Sequence, residues 1–310
     1  MTVGLASSLD PPRAHGGHRA IVRYYDQCEI DYRWCWSLGS SLAMHFGYWD
    51  HTTRSLREAL ARMNRRLAEA AGLAAGDRVL DAGCGVGGSA IYLAERYGCR
   101  VVGITLSANQ ARSARAHARR RGVADRTEFL VGDYLRAPFG AGSFDAVWAL
   151  ESLCYAPRKR DFVREAARLL RPGGRLVVAD GFTVEDTPSP REAQWMRAWL
   201  AGWAVPGLES RAGFERDLAA CGFAGIRFAD LTRNIARSAR RLLLMSFPSL
   251  PISRLAERLG LRTEIQTGNT RAALYQYLAW RRRLALYGLF SARKGSLDDE
   301  RPEDSGALLA

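Results

Sequence analysis

The residues with the clearest chemical meaning lie in one short segment, RVLDAGCGVGG, at positions 78–88. An apolar pair and Asp81 end a predicted strand, and a glycine-rich turn follows. The glycines of this turn are Gly83, Gly85, Gly87 and Gly88. Glycine adopts positive φ easily and lets a ligand approach backbone N–H groups without a Cβ in the way. A helical pattern begins near Ser89, and its amino terminus adds partial positive charge. The segment therefore predicts a binding loop for a nucleotide-type cofactor.

Three kinds of cofactor compete for such a loop. A phosphate-binding loop needs a lysine after its last glycine, whereas Ser89 and Ala90 follow here. The glycine spacing satisfies the dinucleotide pattern G-x-G-x-x-G, but that pattern also requires an acid about 20 residues later for the ribose. Residues 96–124 contain no Asp or Glu, which weighs against NAD. NADP stays open, although no arginine directly follows the second predicted strand.

Three ordered motifs make the chain resemble the class I S-adenosylmethionine (SAM) methyltransferases. They are VLDAGCGVGG (79–88), RVVGITLSANQ (100–110) and VGDYLRAPF (131–139). Within this class the chain is most similar to the sterol, tocopherol and cyclopropane-fatty-acid branch. In that branch a T-L-S-x-x-Q pattern commonly replaces the acid after the second strand, and Thr105, Leu106, Ser107 and Gln110 match it. Two further segments fit the sterol and tocopherol group, the aromatic stretch 24–49 and ESLCYAP (151–157). The resemblance covers residues 22–294.

The resemblance implies SAM as the cofactor and a set of residues that contact it. The backbone of the glycine turn would hold the methionine part, with Asp81 supporting the turn. Asp133 would accept a hydrogen bond from the adenine amino group, and Tyr134 would flank the ring. Thr105, Leu106 and Gln110 would lie at the ribose and adenine. The full expected set is Tyr24, Asp81, Gly83, Cys84, Gly85, Gly87, Thr105, Leu106, Gln110, Gly132, Asp133, Tyr134 and Leu150.

Methyl transfer also needs groups that align the acceptor and manage its proton. The candidate catalytic residues are Glu151, which follows the fourth predicted strand, and His45 and Tyr25 in the aromatic stretch. Methylation of an alkene carbon creates a carbocation, which aromatic faces stabilise and a base must quench. The resemblance thus implies a hydrophobic small-molecule acceptor (isoprenoid, sterol-like or lipid) methylated on carbon. The family's T-C-H after this glutamate reads Leu153-Cys154-Tyr155 here, which puts a sterol acceptor in question.

Other functions stay open from the sequence. The main alternative is an O- or N-methyltransferase of a natural product, since one fold supports many chemistries. A binding module that has lost catalysis and an NADP-dependent reductase are weaker alternatives. The intact glycine turn, the T-L-S-x-x-Q pattern and Asp133 argue against both.

The amino-acid composition limits which binding partners we expect for the chain. The chain has 310 residues and a formal net charge of +13, but only Lys159 and Lys294 are lysines. Such an arginine excess is typical of genomic base composition, so we expect no nucleic-acid partner. A peripheral membrane contact stays open, and the oligomeric state is not predicted. The six cysteines are scattered, so we expect reduced thiols, a cytoplasmic location (at a membrane surface if that contact exists) and no metal site.

Strands that alternate with helices must position these residues. Strands are expected at 78–81, 100–104, 127–131, 144–149, 175–180, 225–231 and 284–293, and helices at 55–71, 88–97, 107–121, 158–170 and 211–221. This alternation predicts an α/β fold with a doubly wound, mostly parallel sheet of seven strands. The resemblance makes the fold Rossmann-like and its last strand antiparallel.

The remaining segments are expected to cap and flank this core. We divide the chain into an N-terminal tail (1–20), an N-terminal helical cap (21–72), a SAM-binding core (73–182) and an acidic tail (295–310), with the methyltransferase domain spanning 21–294. The resemblance implies that insertions 183–210 and 234–283 form a helical lid over the acceptor. The first carries Trp195, Trp199 and Trp203 on one helical face, and in the second we expect Pro248 and Pro251 to break the helix.

Overall fold

A computed structural model of the chain describes residues 16–35, 41–184 and 188–295. The strands are β1 (Arg78–Ala82), β2 (Arg100–Thr105), β3 (Thr127–Val131), β4 (Phe144–Leu150), β5 (Leu170–Thr183), β6 (Phe223–Asp230) and β7 (Ala285–Lys294). The α-helices of the described chain are α1 (Gly16–Cys35), α2 (Leu56–Ala71), α3 (Gly88–Tyr97), α4 (Ala108–Arg120), α5 (Lys159–Leu169), α6 (Pro190–Gly202), α7 (Arg211–Ala220), α8 (Thr232–Arg258) and α9 (Glu264–Arg281).

The strands form one sheet in the order β3-β2-β1-β4-β5-β7-β6. Strands β1 to β5 are parallel, and β7 runs antiparallel between β5 and β6. The predicted doubly wound, seven-stranded sheet is therefore confirmed. Asp81 of β1 pairs with Gly103 of β2 and with Trp148 of β4, so the carboxyl ends of these strands lie side by side. Ligands of open α/β sheets bind at this edge, where the strand order reverses.

Helices cover both faces of the sheet. One face is buried under α2, α3 and α4 and the lid helices, with Met63 and Ile91 in its core. The other face is buried under α5 and α7, with Phe162 and Phe214 in its core. Side chains fix several helix starts: Ser55 and Ser107 cap α2 and α4, and α6 and α9 begin with capping boxes.

The lid differs from the sequence prediction in one respect. Helix α8 continues through Pro248 and Pro251 instead of breaking there. Proline removes one backbone N–H, which leaves the carbonyl four residues earlier without its helical partner. Those carbonyls belong to Leu244 and Phe247, whose side chains are exposed, so this side of the helix faces water that can bind them. Residues Thr232–Arg258 thus form a single continuous helix.

Strand and helix boundaries also differ from the prediction. Strand β5 extends to Thr183, because the long β7 pairs with it as far as Ala285. Helix α1 begins at Gly16, so residues 16–20 belong to this helix and not to the predicted tail. Residues 1–15 and the acidic segment 296–310 lie outside the described residues. Among the described helices, none is long and apolar enough to cross a membrane.

Candidate active site

The glycine turn after β1 opens a small cavity of about 90 Å³ at the carboxyl edge of the sheet. Gly85 has a φ of 52°, and a Cβ there would point into the cavity, with Met44 Sδ the nearest atom at 3.5 Å. Gly87 has a φ of 86°, but a Cβ there would press against Ala114 at 2.9 Å. Gly85 therefore keeps the cavity open, whereas Gly87 allows the helices behind it to pack.

Most of the expected cofactor residues line this cavity. Those that do so are Asp81, Gly83, Cys84, Gly85, Thr105, Leu106, Gln110, Tyr134 and Leu150. Gly87, Gly132, Asp133 and Tyr24 lie outside its lining. Gly88 and Ser107 of the predicted motifs, and Ser89 directly after the glycine turn, also line it, and so do Leu42 and Met44, which the sequence prediction missed. The segment containing Leu42 and Met44 closes over the glycine turn, and its sequence signal was the aromatic stretch 24–49 to which it belongs.

Asp81 carries a buried oxygen that no described group satisfies. The N–H of Ala90, at the start of α3, donates to the Asp81 carboxyl group, but Oδ2 has no hydrogen-bond partner. Burial raises the pKa of Asp81 to about 7. A buried carboxylate oxygen without a partner is costly, and a cationic group in the cavity would satisfy it. The SAM molecule has an ammonium group on its methionine part, so this residue fits the expected cofactor.

Polar side chains after β2 line the cavity, and the carboxylate after β3 lies beside it, outside its lining. Thr105 Oγ1 donates to Gln110 Oε1 at 2.6 Å, and Ser107 caps α4 beside them. Asp133 Oδ1 accepts from the backbone N–H of Leu135, while Oδ2 lies 3.3 Å from His18 Nε2 of α1. The carboxylate expected to face the adenine is therefore already covered by α1.

Helix α1 lies across the cavity and supplies Ile21, Val22 and Tyr25 to its lining. It is fastened there by the hydroxyl of Ser107, which donates to Asp26 at 3.0 Å. Tyr24 points elsewhere: its hydroxyl donates to Asn269 Oδ1 of α9 at 2.8 Å. The tyrosine of α1 that meets the cavity is thus Tyr25, and the expected cofactor contact by Tyr24 is corrected.

A second cavity of about 580 Å³ adjoins the first and extends under the lid. Aromatic rings from the 41–50 segment, the lid and β7 form much of its wall: Phe46, Trp199, Trp203, Trp280 and Tyr287. The rings form a continuous row in the order Tyr287, Phe46, Trp280, Trp199 and Trp203. The centroids of neighbouring rings in this row are 5.1 to 6.2 Å apart. The residues that line both cavities are Tyr25, Met44, Glu151 and Tyr155.

Glu151 lies at this junction in a strained conformation. It follows β4 directly and has a φ of 53°, a left-handed value that is uncommon outside glycine. Its Oε1 accepts from the N–H of Phe46 at 2.6 Å and from the hydroxyl of Tyr287 at 2.7 Å. Burial raises the pKa of Glu151 to about 8. Strain and a shifted pKa in one cavity residue are typical of a functional group.

His45 lies nearby but is not paired with Glu151. Its Nδ1 is 2.9 Å from the carbonyl oxygen of Phe46, and its Nε2 is 3.2 Å from Nδ2 of Asn64 on α2. Burial lowers the pKa of His45 to about 4. The ring is therefore neutral with both nitrogens engaged, so it has no free nitrogen for a proton. These hydrogen bonds favour a structural role for His45, and its expected catalytic role stays a prediction.

Tyr25 and Tyr155 form a hydroxyl pair at the same junction. Tyr25 donates to Tyr155 at 2.9 Å, and Tyr155 donates to the backbone oxygen of Trp203 at 3.3 Å. Burial raises the pKa of Tyr25 above its usual range. Both phenols are thus neutral donors that connect α1 to the lid.

Asp180 is a second carboxylate in the larger cavity that the sequence prediction missed. It lies at the carboxyl edge of the sheet in β5, and it accepts from the N–H groups of Cys154 and Gly181 at 2.9 and 2.7 Å. Burial raises the pKa of Asp180 to about 6. Its signal was present: an acid follows the apolar run of β5 much as Glu151 follows β4. The described residues contain no cluster of His, Cys, Asp and Glu that could hold a metal ion.

Comparison with known proteins agrees with this architecture. Residues 80–178 match the family described as "Methyltransferase domain". The chain is 34% identical over 213 residues to a rice 24-methylenesterol C-methyltransferase 2, covering 68% of this chain and 57% of the relative. It is 32% identical over 198 residues to an O-methyltransferase, rstn1, of Aspergillus nomiae, covering 63% of this chain and 87% of the relative. With several other curated relatives, the match spans only 45% to 65% of the relative's length.

A solved structure extends the likeness over nearly the whole chain. Geranyl diphosphate C-methyltransferase of Streptomyces coelicolor A3(2), in complex with Mg²⁺, geranyl diphosphate and S-adenosyl-L-homocysteine, superposes with a TM-score of 0.70. It is 25% identical, and the match covers 92% of this chain and all of that one. Both the sheet and the helices above it are therefore shared.

Proposed function

The chain belongs to the class I SAM-dependent methyltransferases, in the branch that includes the sterol C-methyltransferases, and from this premise we propose that it transfers a methyl group to an uncharged, hydrophobic small molecule. The observation that carries the proposal is the junction of the two cavities at Glu151. A donor in the small cavity and an acceptor in the large one would meet there. Positioning of this kind accounts for a large share of the barrier lowering in bimolecular transfer.

The small cavity would hold the cofactor, and bound SAM supplies a methyl group on a positively charged sulfur. The unpartnered oxygen of Asp81 would accept from the ammonium group of the methionine part. The open side of Gly85 would admit the backbone of the same part. Thr105 and Gln110 would bind the ribose hydroxyls. Asp133 would bind the adenine only if the Asp133 carboxylate also keeps, or gives up, its contact with His18.

The charge of the larger cavity supports a neutral acceptor. Arg262 is the one cationic side chain among the described residues that line it, and its Nη2 already donates to Asp31 at 2.7 Å. The same guanidinium nitrogen also donates to the backbone oxygen of Gln266 and to the hydroxyl of Thr270. Glu151 and Asp180 add potential negative charge. Because this one cation is already paired with Asp31, the cavity favours an acceptor without the diphosphate group that the Streptomyces structure binds together with Mg²⁺.

Transfer to carbon is the leading form of the proposal. The aromatic wall beside Glu151 would stabilise positive charge that develops on an alkene. The Glu151 carboxylate would then remove a proton from the neighbouring carbon. Its two donors, the Phe46 N–H and the Tyr287 hydroxyl, hold the carboxylate at the junction while leaving its second oxygen for this proton.

Transfer to oxygen is the second candidate, and the hydroxyl pair of Tyr25 and Tyr155 favours it. These phenols could bind an acceptor hydroxyl at the junction, and Glu151 could take its proton. The likeness to an O-methyltransferase over 87% of that relative's length points the same way.

The described cysteines are free thiols, which supports a cytoplasmic location as part of the proposal.

One experiment tests the function and separates the two forms. The purified protein is incubated with SAM carrying a deuterated methyl group and with a lipid and polyketide extract, and new masses are sought. We expect one apolar product that gains the labelled methyl, and its carbon NMR shift then distinguishes a methyl on carbon from a methoxyl group. Labelling of a phosphorylated acceptor would contradict the proposed neutral acceptor. Absence of any labelled product, while S-adenosylhomocysteine still binds, would contradict catalysis.

A further inference from the structure

Most of the exposed large apolar side chains of the described chain lie on α8 and on the turn that follows it. Eight large apolar side chains are exposed among the described residues, and six of them lie within residues 244–261. These six are Leu244, Phe247, Ile252, Leu255, Leu259 and Leu261, and their exposed fractions run from 58% to 79%. Isolated exposed apolar residues are ordinary, but a contiguous group marks a site of interaction. We call this group the α8 face.

The α8 face is continuous because α8 does not break at its prolines. Leu244, Phe247, Pro251 and Leu255 follow one another at helical spacing along the solvent side of α8. The opposite side carries Ile235, Ala239 and Leu242, which are buried in the core. The helix therefore presents one apolar side to the protein and a second apolar side to the surroundings.

Arginines share this exposed side. Arg240, Arg254 and Arg258 are exposed on α8, and Glu257 is the only acid within the helix. Apolar side chains interleaved with arginines on one surface helix match the interface of an anionic lipid bilayer, which has an apolar interior beneath negative headgroups. A second copy of the chain fits less well, because self-pairing would bring the arginines of both copies together.

Part of the α8 face borders the larger cavity. Ile252 and Leu261 of this face line the cavity, and so does Ile30 of α1, which is 53% exposed. An apolar molecule could pass from a bilayer into the cavity along these side chains without crossing water. The α8 face thus lies next to the larger cavity beneath the lid.

We propose that the α8 face is a docking surface for an anionic lipid membrane, from which the acceptor enters the larger cavity. Docking itself is independent of methyl transfer, whereas entry of the acceptor from the bilayer rests on the proposed function. Binding to vesicles, measured without cofactor or acceptor, therefore separates failure of this inference from failure of the proposed function.

The test is co-sedimentation with vesicles of phosphatidylcholine, alone or with phosphatidylglycerol, at low and high salt. We expect binding to the anionic vesicles that high salt weakens, since the headgroup attraction is screened. Each arginine near such a surface contributes about fivefold to partitioning. The double variant Arg254→Glu and Arg258→Glu should therefore lose at least ~25-fold, and Phe247→Ser with Leu255→Ser should lose binding at both salt concentrations.

The matched control reverses two exposed arginines elsewhere. Arg119→Glu and Arg120→Glu make the same charge change on α4, which packs against β2 and β3. This control should retain most of the binding. The inference is overturned if the wild type stays in solution with anionic vesicles, or if the α8 and α4 variants lose binding equally. A dimer in light scattering that Phe247→Ser dissociates would also overturn it, because a second copy would then cover the face.

Discussion

The most informative perturbation is Glu151→Gln, because it changes one charge at the junction of the two cavities and little else. The glutamine oxygen can still accept from Phe46 and Tyr287, and the strained backbone is unchanged. What disappears is the ability to take a proton. Removal of a general base costs about 10²- to 10⁴-fold in turnover, whereas binding of S-adenosylhomocysteine should be nearly unaffected.

The pH dependence of the wild type follows from the raised pKa of Glu151. Because the base works only when ionised, kcat/KM should rise with pH and level off above about pH 8. In the Gln variant this rising limb should be absent.

Stability provides an independent measurement of the same group. The folded pKa of about 8 lies above the ordinary value of 4.5, so the folded protein holds a proton that the unfolded chain releases. This contribution to stability is fully present below pH 4.5 and is lost as the pH rises to about 8. Its size is at most ~5 kcal/mol, and cavity water lowers it. The wild type should therefore lose stability relative to Glu151→Gln across this range in urea unfolding.

Two results would refute the reasoning on Glu151. A variant that turns over its true acceptor at nearly the wild-type rate would show that Glu151 is not the base. An unchanged stability difference between the two proteins from pH 5 to pH 8 would show that the carboxyl group is ionised throughout, as in a solvated side chain.

Three further predictions concern the walls of the cavities. Gly85→Leu should abolish the rise in melting temperature that S-adenosylhomocysteine causes. The control Gly122→Leu, also at positive φ but in open space, should lower stability and keep that rise. An equal loss of the rise in both variants would contradict the role of Gly85. Asp81→Asn should weaken S-adenosylhomocysteine binding about 10- to 100-fold in calorimetry but leave 5′-methylthioadenosine, which lacks the ammonium group, unaffected; a loss for both ligands would indicate general damage to the cavity. Trp203→Ala should lower kcat/KM for the acceptor far more than cofactor affinity, and Trp195→Ala, outside the cavity lining, is its control.

The sequence was sufficient for features that depend on local patterns. The strand ends, the glycine turn and the acid after β4 could be read from apolar runs and turn residues, and the sheet they predict is confirmed. The lid was predicted from the family resemblance, the spacing of its tryptophans predicted a shared helical face, and Trp199 and Trp203 do line the larger cavity. Such features are encoded within about ten residues of chain.

Features that depend on how distant segments meet could not be predicted. Which of Tyr24 and Tyr25 faces the cavity depends on the rotation of α1, and contacts with Asn269 and Tyr155 fix it. The aromatic stretch suggested His45 as a base, but its ring is held by Asn64 from another helix. Proline indicated a break in α8, yet exposure of one helix side allowed the helix to continue.

The separation of the two cavities along the chain has a consequence for how such a protein can diversify. Outside α1, the walls of the cofactor cavity come mainly from residues 81–152, inside the segment that relatives share as a common domain. Helices α6, α8 and α9, which lie later in the chain, supply nearly half of the residues that line the acceptor cavity. Natural selection could therefore reshape the acceptor cavity by substitutions in these helices without disturbing the binding of the methyl donor. Among the described residues, only Tyr25, Met44, Glu151 and Tyr155 line both cavities, so a change of acceptor would be most constrained at these positions.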